Sequence, residues 1–157
     1  MGSLTGIIAV VLVARGRYRW AVYVAVTAGG GALLNMELKR YCACARPALA
    51  QALYSGQGYS FPSAHAMGST VVAGALAYLV VRVLHSRPRR AAAIAFAITF
   101  VLAVAASRVY IGVHWISDIA AGISGGLLWL MTTTLGIRVV AADPEDQEPG
   151  LGPPASD

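Results

Sequence analysis

Three short blocks of this chain hold side chains able to do chemistry. His114 and Asp118 stand four residues apart, just ahead of an apolar run. On a helix they would share a face, so the carboxylate can accept one imidazole N–H, fix the tautomer and leave the other nitrogen's lone pair free. That is an oriented nucleophile or base. A surface or capping pair is the commoner outcome at this spacing, so the neighbouring residues decide. Pro62-Ser63-Ala64-His65 precedes a second apolar run. Pro and Ser there mark a helix start, with Ser63 at or beside the N-cap and the first-turn N–H groups of Ala64 and His65 open to an anion. His65 puts a titratable imidazole beside that position. Lys39 and Arg46 are seven apart, nearly two helical turns, which predicts one shared face with Pro47 ending the helix at Arg46. An ammonium and a fork-shaped guanidinium converging on one point suit phosphoryl oxygens.

The elements that must position these blocks are membrane spans. The chain is 57% hydrophobic and 12% charged over 157 residues, outside the soluble norm. Crossing the hydrocarbon core takes roughly 20 mostly apolar residues, with about 17 as the lower limit. Residues 20–36, 64–81, 91–107 and 119–137 contain no Asp, Glu, Lys or Arg and qualify. Residues 2–14 are uncharged but short. They lack a preceding basic residue and a small-residue cleavage site, so they read as the end of a span in an N-terminally shortened chain rather than a signal peptide. The fold class is therefore all-α: a polytopic transmembrane bundle of four full spans and a partial N-terminal one.

Net charge is +5, but the arginines mark topology and give no reason to expect nucleic acid. Arg15, Arg17 and Arg19 lie in one inter-span turn, Arg82, Arg87, Arg89 and Arg90 in another, and Arg138 after the last span. By the positive-inside rule these face the cytoplasm. The segments from Glu37 to Ser63 and from Arg108 to Asp118 then emerge together on the other side. There Lys39, Arg40, Arg46 and Arg108 face only Glu37 and Asp118 as carboxylates. Cations at span ends need water or an anionic partner, because each costs about 2.5 to 3.5 kcal/mol at mid-bilayer. A phosphate supplies one. For Arg40, headgroup anchoring is the better reading.

Cys42 and Cys44 are too close for an ordinary disulfide and too few for zinc, and read as small packing residues. Gly29-Gly30-Gly31 and the pair Gly122 and Gly126 read as close helix packing. Trp20, Tyr110 and Trp115 fit an interfacial belt. Residues 143–157, acidic and rich in Pro and Gly, are expected to be a disordered tail.

Together the blocks resemble the type 2 phosphatidic acid phosphatase family, whose signature is K-x6-R-P, then P-S-G-H, then S-R-x5-H-x3-D. Here it reads Lys39 to Arg46-Pro47, then Pro62-Ser63-Ala64-His65, then Ser107-Arg108 to His114 to Asp118, with order and both long spacings matched. The resemblance covers about residues 19 to 137 and makes residues 1–142 a membrane-embedded phosphatase domain. It implies that His114 attacks phosphorus and becomes a phosphohistidine, that Asp118 stabilises the charged imidazole and that His65 protonates the leaving oxygen. Lys39, Arg46, Ser63, Ala64 and Arg108, with first-turn N–H groups, would hold the phosphate; no cofactor or metal is implied. Ala64 departs from the family's usual Gly, which matters if that position needs positive φ or very close approach. Membrane members also commonly have six spans.

Two other readings stay open. His65, His114 and Asp118 are the residue types of a two-His, one-carboxylate iron site, but Lys39, Arg46 and Arg108 would repel a divalent cation. A non-catalytic phospholipid-binding or translocating protein could retain the same pocket. Vanadium haloperoxidases share the superfold but resemble soluble proteins. The Ala, Val and Arg bias points to a GC-rich bacterium and so to a bacterial cell membrane, and the arginine placement puts the site on its non-cytoplasmic face. Polyprenyl diphosphate, phosphatidic acid and phosphatidylglycerol phosphate all fit as the lipid phosphate substrate, the first being favoured on that bias.

Overall fold

The computed structural model describes residues 2–46 and 58–141; Pro47 and the tail from 143 onward lie outside them. Five helices run through the described residues: α1 (Gly2–Ala14), α2 (Tyr18–Cys42), α3 (Ala64–Val83), α4 (Arg87–Tyr110) and α5 (Ile116–Ala141). Helices α2 to α5 are long and apolar enough to cross a membrane, whereas α1 is a shorter apolar helix. At 1.5 Å per residue, the 20 residues of α3 reach about 30 Å, one hydrocarbon core. The expected four full spans are therefore present, preceded by one shorter apolar helix.

Local signals explain most helix ends. Ser63 caps α3, its Oγ accepting from Ala66 N at 3.4 Å, and Pro88 sits in the first turn of α4, where its missing N–H costs nothing. One boundary differs from expectation. Helix α2 stops at Cys42, four residues before Arg46, because Ala43 adopts a left-handed φ of 46° and its N–H closes on Lys39 O. Lys39 and Arg46 therefore do not share a helix face.

Helix α3 is the hub, packing against α2, α4 and α5, whereas α4 leans chiefly on α3 and leaves most of its surface for lipid. Lipid tails give no hydrophobic drive between helices, so association depends on close backbone approach and buried polar contacts. Both occur here. A Cβ on Gly126 would lie 2.9 Å from Thr70 Cβ and 3.0 Å from Met67 O, and one on Gly122 only 2.8 Å from Ser63 O. Trp129 Nε1 donates to Thr27 O at 2.8 Å, and the hydroxyls of Tyr23 and Thr134 lie 2.9 Å apart. Gly30 and Gly31 meet Trp129 as the packing reading requires, but Gly29 faces open space. Cys44 is exposed, so it does not pack, and the two cysteines are free. Because the obstacle at Gly122 is backbone, Gly122→Val is expected to cost about 1 to 3 kcal/mol of stability, read as a lowered Tm in detergent, while Gly29→Ala leaves Tm unchanged.

Candidate active site

Three helix ends converge at one end of the bundle: the C-terminus of α2 and the N-termini of α3 and α5. Their closest link is backbone, with Ser63 N donating to Asp118 O at 3.0 Å. The contact joins the second and third blocks, so His65 and His114 occupy the same end of the molecule.

The turn after α4 delivers His114. Gly112 takes a φ of 75°, and Val113 N donates back to Arg108 O at 3.2 Å. Helix α5 begins only at Ile116, so His114 precedes it and Asp118 lies in its first turn. The pair does not share a helix face as expected; it straddles the helix start. The contact is made nonetheless: His114 Nδ1 lies 3.2 Å from Asp118 Oδ2, and both residues are buried. Trp115 N donates to the same Oδ2 at 3.0 Å, so Asp118, third residue of α5, reaches back to the N-cap N–H as in a capping box. Capping and orientation of the imidazole are thus one arrangement.

Sequence reasoning missed Ser60. It is fully buried, its Oγ donates to Asp118 Oδ2, and it lies 3.4 Å from His114 Nδ1. One carboxylate oxygen therefore collects His114, Ser60 and Trp115. Ser60 N donates to Cys44 O at 2.9 Å, tying the triad to the chain leaving α2. A hydroxyl one residue ahead of Phe61-Pro62 was the available signal. Asn35 was also missed: it is buried in the C-terminal half of α2, its Nδ2 3.5 Å from Pro62 O. A polar amide inside an otherwise apolar span was its signal.

The cations are anchored on backbone. Lys39 Nζ donates to Tyr59 O at 2.7 Å and Ser60 O at 3.3 Å, and Arg46 donates to Gly58 O at 3.1 Å and Val113 O at 3.5 Å. Arg46 thereby bonds the His114 segment directly, and Lys39 bonds Ser60, which in turn meets Asp118. Arg108 is half-buried and its Nε donates to Ser107 Oγ at 3.2 Å. Arg40 is set apart, paired at the surface with Glu37 at 2.9 Å. Ala64 and His65 are exposed in the first turn of α3, and Arg108, Arg46 and Lys39 all act electrostatically on His65. Ala64 is not among the positive-φ residues, so its backbone needs no glycine. Ser63 is buried, with its oxygen engaged by the cap. Tyr110 and Trp115 are exposed, whereas Trp20 packs edge-on against Tyr23 and Tyr78 at the far end. Among the described residues no three His, Cys, Asp or Glu side chains converge as metal ligands.

Burial pushes the His114 imidazole below its ordinary value; Asp118 pulls it back, and Arg46 and Lys39 depress it further. At neutral pH the ring is held uncharged with Nδ1 engaged, leaving Nε2 as the free nitrogen.

The chain is similar to known proteins in sequence and in fold. Residues 19–139 match the family model of the PAP2 superfamily. Phosphatidylglycerophosphatase B of Bacillus subtilis (strain 168) is 37% identical over 102 residues, 64% of this chain and 49% of that protein, so the chain spans about half that relative's length. The crystal structure of a transmembrane PAP2-type phosphatidylglycerolphosphate phosphatase from Bacillus subtilis superposes with a TM-score of 0.77 at 28% identity, over 89% of this chain and 70% of that one. A family match across most of the chain, with four spanning helices and a transmembrane neighbour, makes this an integral membrane protein that belongs to the PAP2 superfamily.

Proposed function

We propose that the chain is a lipid phosphate phosphatase working through a phosphohistidine on the non-cytoplasmic face, with residues 1–142 forming the catalytic domain. The observation that carries this is the Ser60, Asp118 and His114 cluster flanked by Lys39 and Arg46 at the capped start of α3. His114 Nε2 attacks phosphorus, the bond from phosphorus to the lipid oxygen breaks, and His65 gives that oxygen its proton. Water, deprotonated by His65, then attacks phosphorus and releases phosphate from the imidazole. Asp118 stabilises the imidazolium. Lys39, Arg46, Arg108 and the N–H groups of Ala64 and His65, presented by the Ser63 cap, hold the phosphoryl oxygens, whose charge is spread in the transition state.

An interfacial site suits a substrate with its phosphate in water and its tail in lipid. The named activity of both relatives moves phosphatidylglycerol phosphate ahead of polyprenyl diphosphate and phosphatidic acid as the first substrate to test. The decisive measurement is phosphate release from those three lipids in detergent. Metal-independent turnover of at least one supports the reading; loss of all turnover with a chelator, restored by a divalent cation, overturns it.

The same chemistry sets a pH dependence. Because the His114 pKa is lowered, the neutral nucleophile persists below the ordinary histidine value of about 6.5. The acid limb of kcat/KM is expected below that pH, with activity falling as protonation consumes the nucleophile. The sign for stability agrees: burying a neutral His stabilises the fold above its unfolded pKa and loses that contribution as pH falls.

A further inference from the structure

The end of the bundle opposite the site holds a second cluster of cations. Among the described residues the only acids are Glu37 and Asp118, and both lie at the site end. At the far end Arg82 stacks over Trp20 at 5.6 Å and over Tyr78 at 5.9 Å, and those rings pack on Tyr23. A guanidinium held on aromatic faces is oriented before any ligand arrives. Below it runs a groove of about 380 Å³ between the α1–α2 turn and α3, lined by Leu12, Leu79 and Val83, with Arg17 also on its wall. Arg17 is the N-cap residue of α2, and that helix start has no side-chain cap, so its positive dipole end adds to the two guanidinium charges.

We propose that this groove is a binding site for an anionic phospholipid of the leaflet opposite the active site. The lipid phosphate lies between Arg17 and Arg82, and an acyl chain lies on the apolar floor. Charge complementarity and the floor together select this occupant. A free anion leaves Leu12, Leu79 and Val83 uncovered. The acidic residues 143–157 offer the opposite charge but almost no hydrocarbon, with Leu151 as their one large aliphatic residue.

The test is native mass spectrometry of the full chain in neutral detergent, titrated with phosphatidylglycerol or phosphatidylcholine. Excess inorganic phosphate keeps the catalytic pocket occupied throughout. Retention of phosphatidylglycerol over phosphatidylcholine is expected to fall at least about tenfold in Arg17→Gln/Arg82→Gln. Arg87→Gln/Arg89→Gln, which removes the same charge at the same end, should keep it. Unchanged phosphate release by the first variant shows that it is folded. Equal loss in both variants means diffuse attraction and overturns the site. So does an absence of preference in the wild type, or a preference that emerges only when residues 143–157 are deleted.

Discussion

Replacing His114 by alanine is expected to reduce phosphate release by on the order of 10⁴-fold or more, with the lipid still bound. The reasoning is chemical. Without the imidazole there is no nitrogen to accept the phosphoryl group, and the cations around the pocket stabilise a transition state that no longer forms. Since Lys39 and Arg46 are anchored on Tyr59, Ser60, Gly58 and Val113 rather than on His114, the anion pocket should survive the substitution. Lipid affinity measured alongside turnover therefore separates the two readings of the chain. A catalyst loses turnover and keeps binding. If His114→Ala releases phosphate at the wild-type rate, the phosphohistidine mechanism is wrong, and a phosphorus–nitrogen adduct trapped by acid-free quenching should likewise be absent from this variant.

Asp118→Asn carries the second large effect, a loss of roughly 10³- to 10⁴-fold, the scale seen when the carboxylate that orients a catalytic histidine is made an amide. Asp118 Oδ2 is the common acceptor for His114 Nδ1, Ser60 Oγ and Trp115 N. An amide cannot accept all three through one charged oxygen, nor can it stabilise the imidazolium. The cap on α5 weakens as well, so a Tm measurement is needed to set the structural share apart. Ser60→Ala supplies a graded comparison. It removes one donor and leaves two, so kcat should fall only about tenfold, near the worth of one hydrogen bond to a charged group. With that donor gone, the Asp118 charge acts more strongly on His114, which raises the His114 pKa and moves the acid limb to higher pH. A purely structural Ser60 would lower Tm without moving that limb.

The two missed geometries share a cause. The spacings of Lys39 to Arg46 and His114 to Asp118 match helical periods, yet each pair crosses a helix end. Ala43 breaks α2 by adopting a left-handed conformation that alanine rarely takes, and no local residue announces it. At the other site Asp118, in the first turn of α5, accepts from the N-cap Trp115 N–H and so fixes the helix start after His114. Periodicity describes residues inside a helix. Functional residues gather at helix ends, where N–H groups are unpaired and water reaches the chain.

Sequence alone determined the class of fold, the four spans and the candidate site residues, because a bilayer demands long uncharged runs and leaves charge only where it has a partner. Tertiary structure decided how those residues meet. It brought Ser63 onto Asp118, passed the chain after α2 across to Ser60 and Val113, and placed a silent serine beneath the carboxylate. The contacts that reach residues 113–118 join positions 54 to 67 apart, and no rule of local spacing encodes them. They depend on glycines that let α3 and α5 approach, so the packing that excludes lipid also sets the distances at the site.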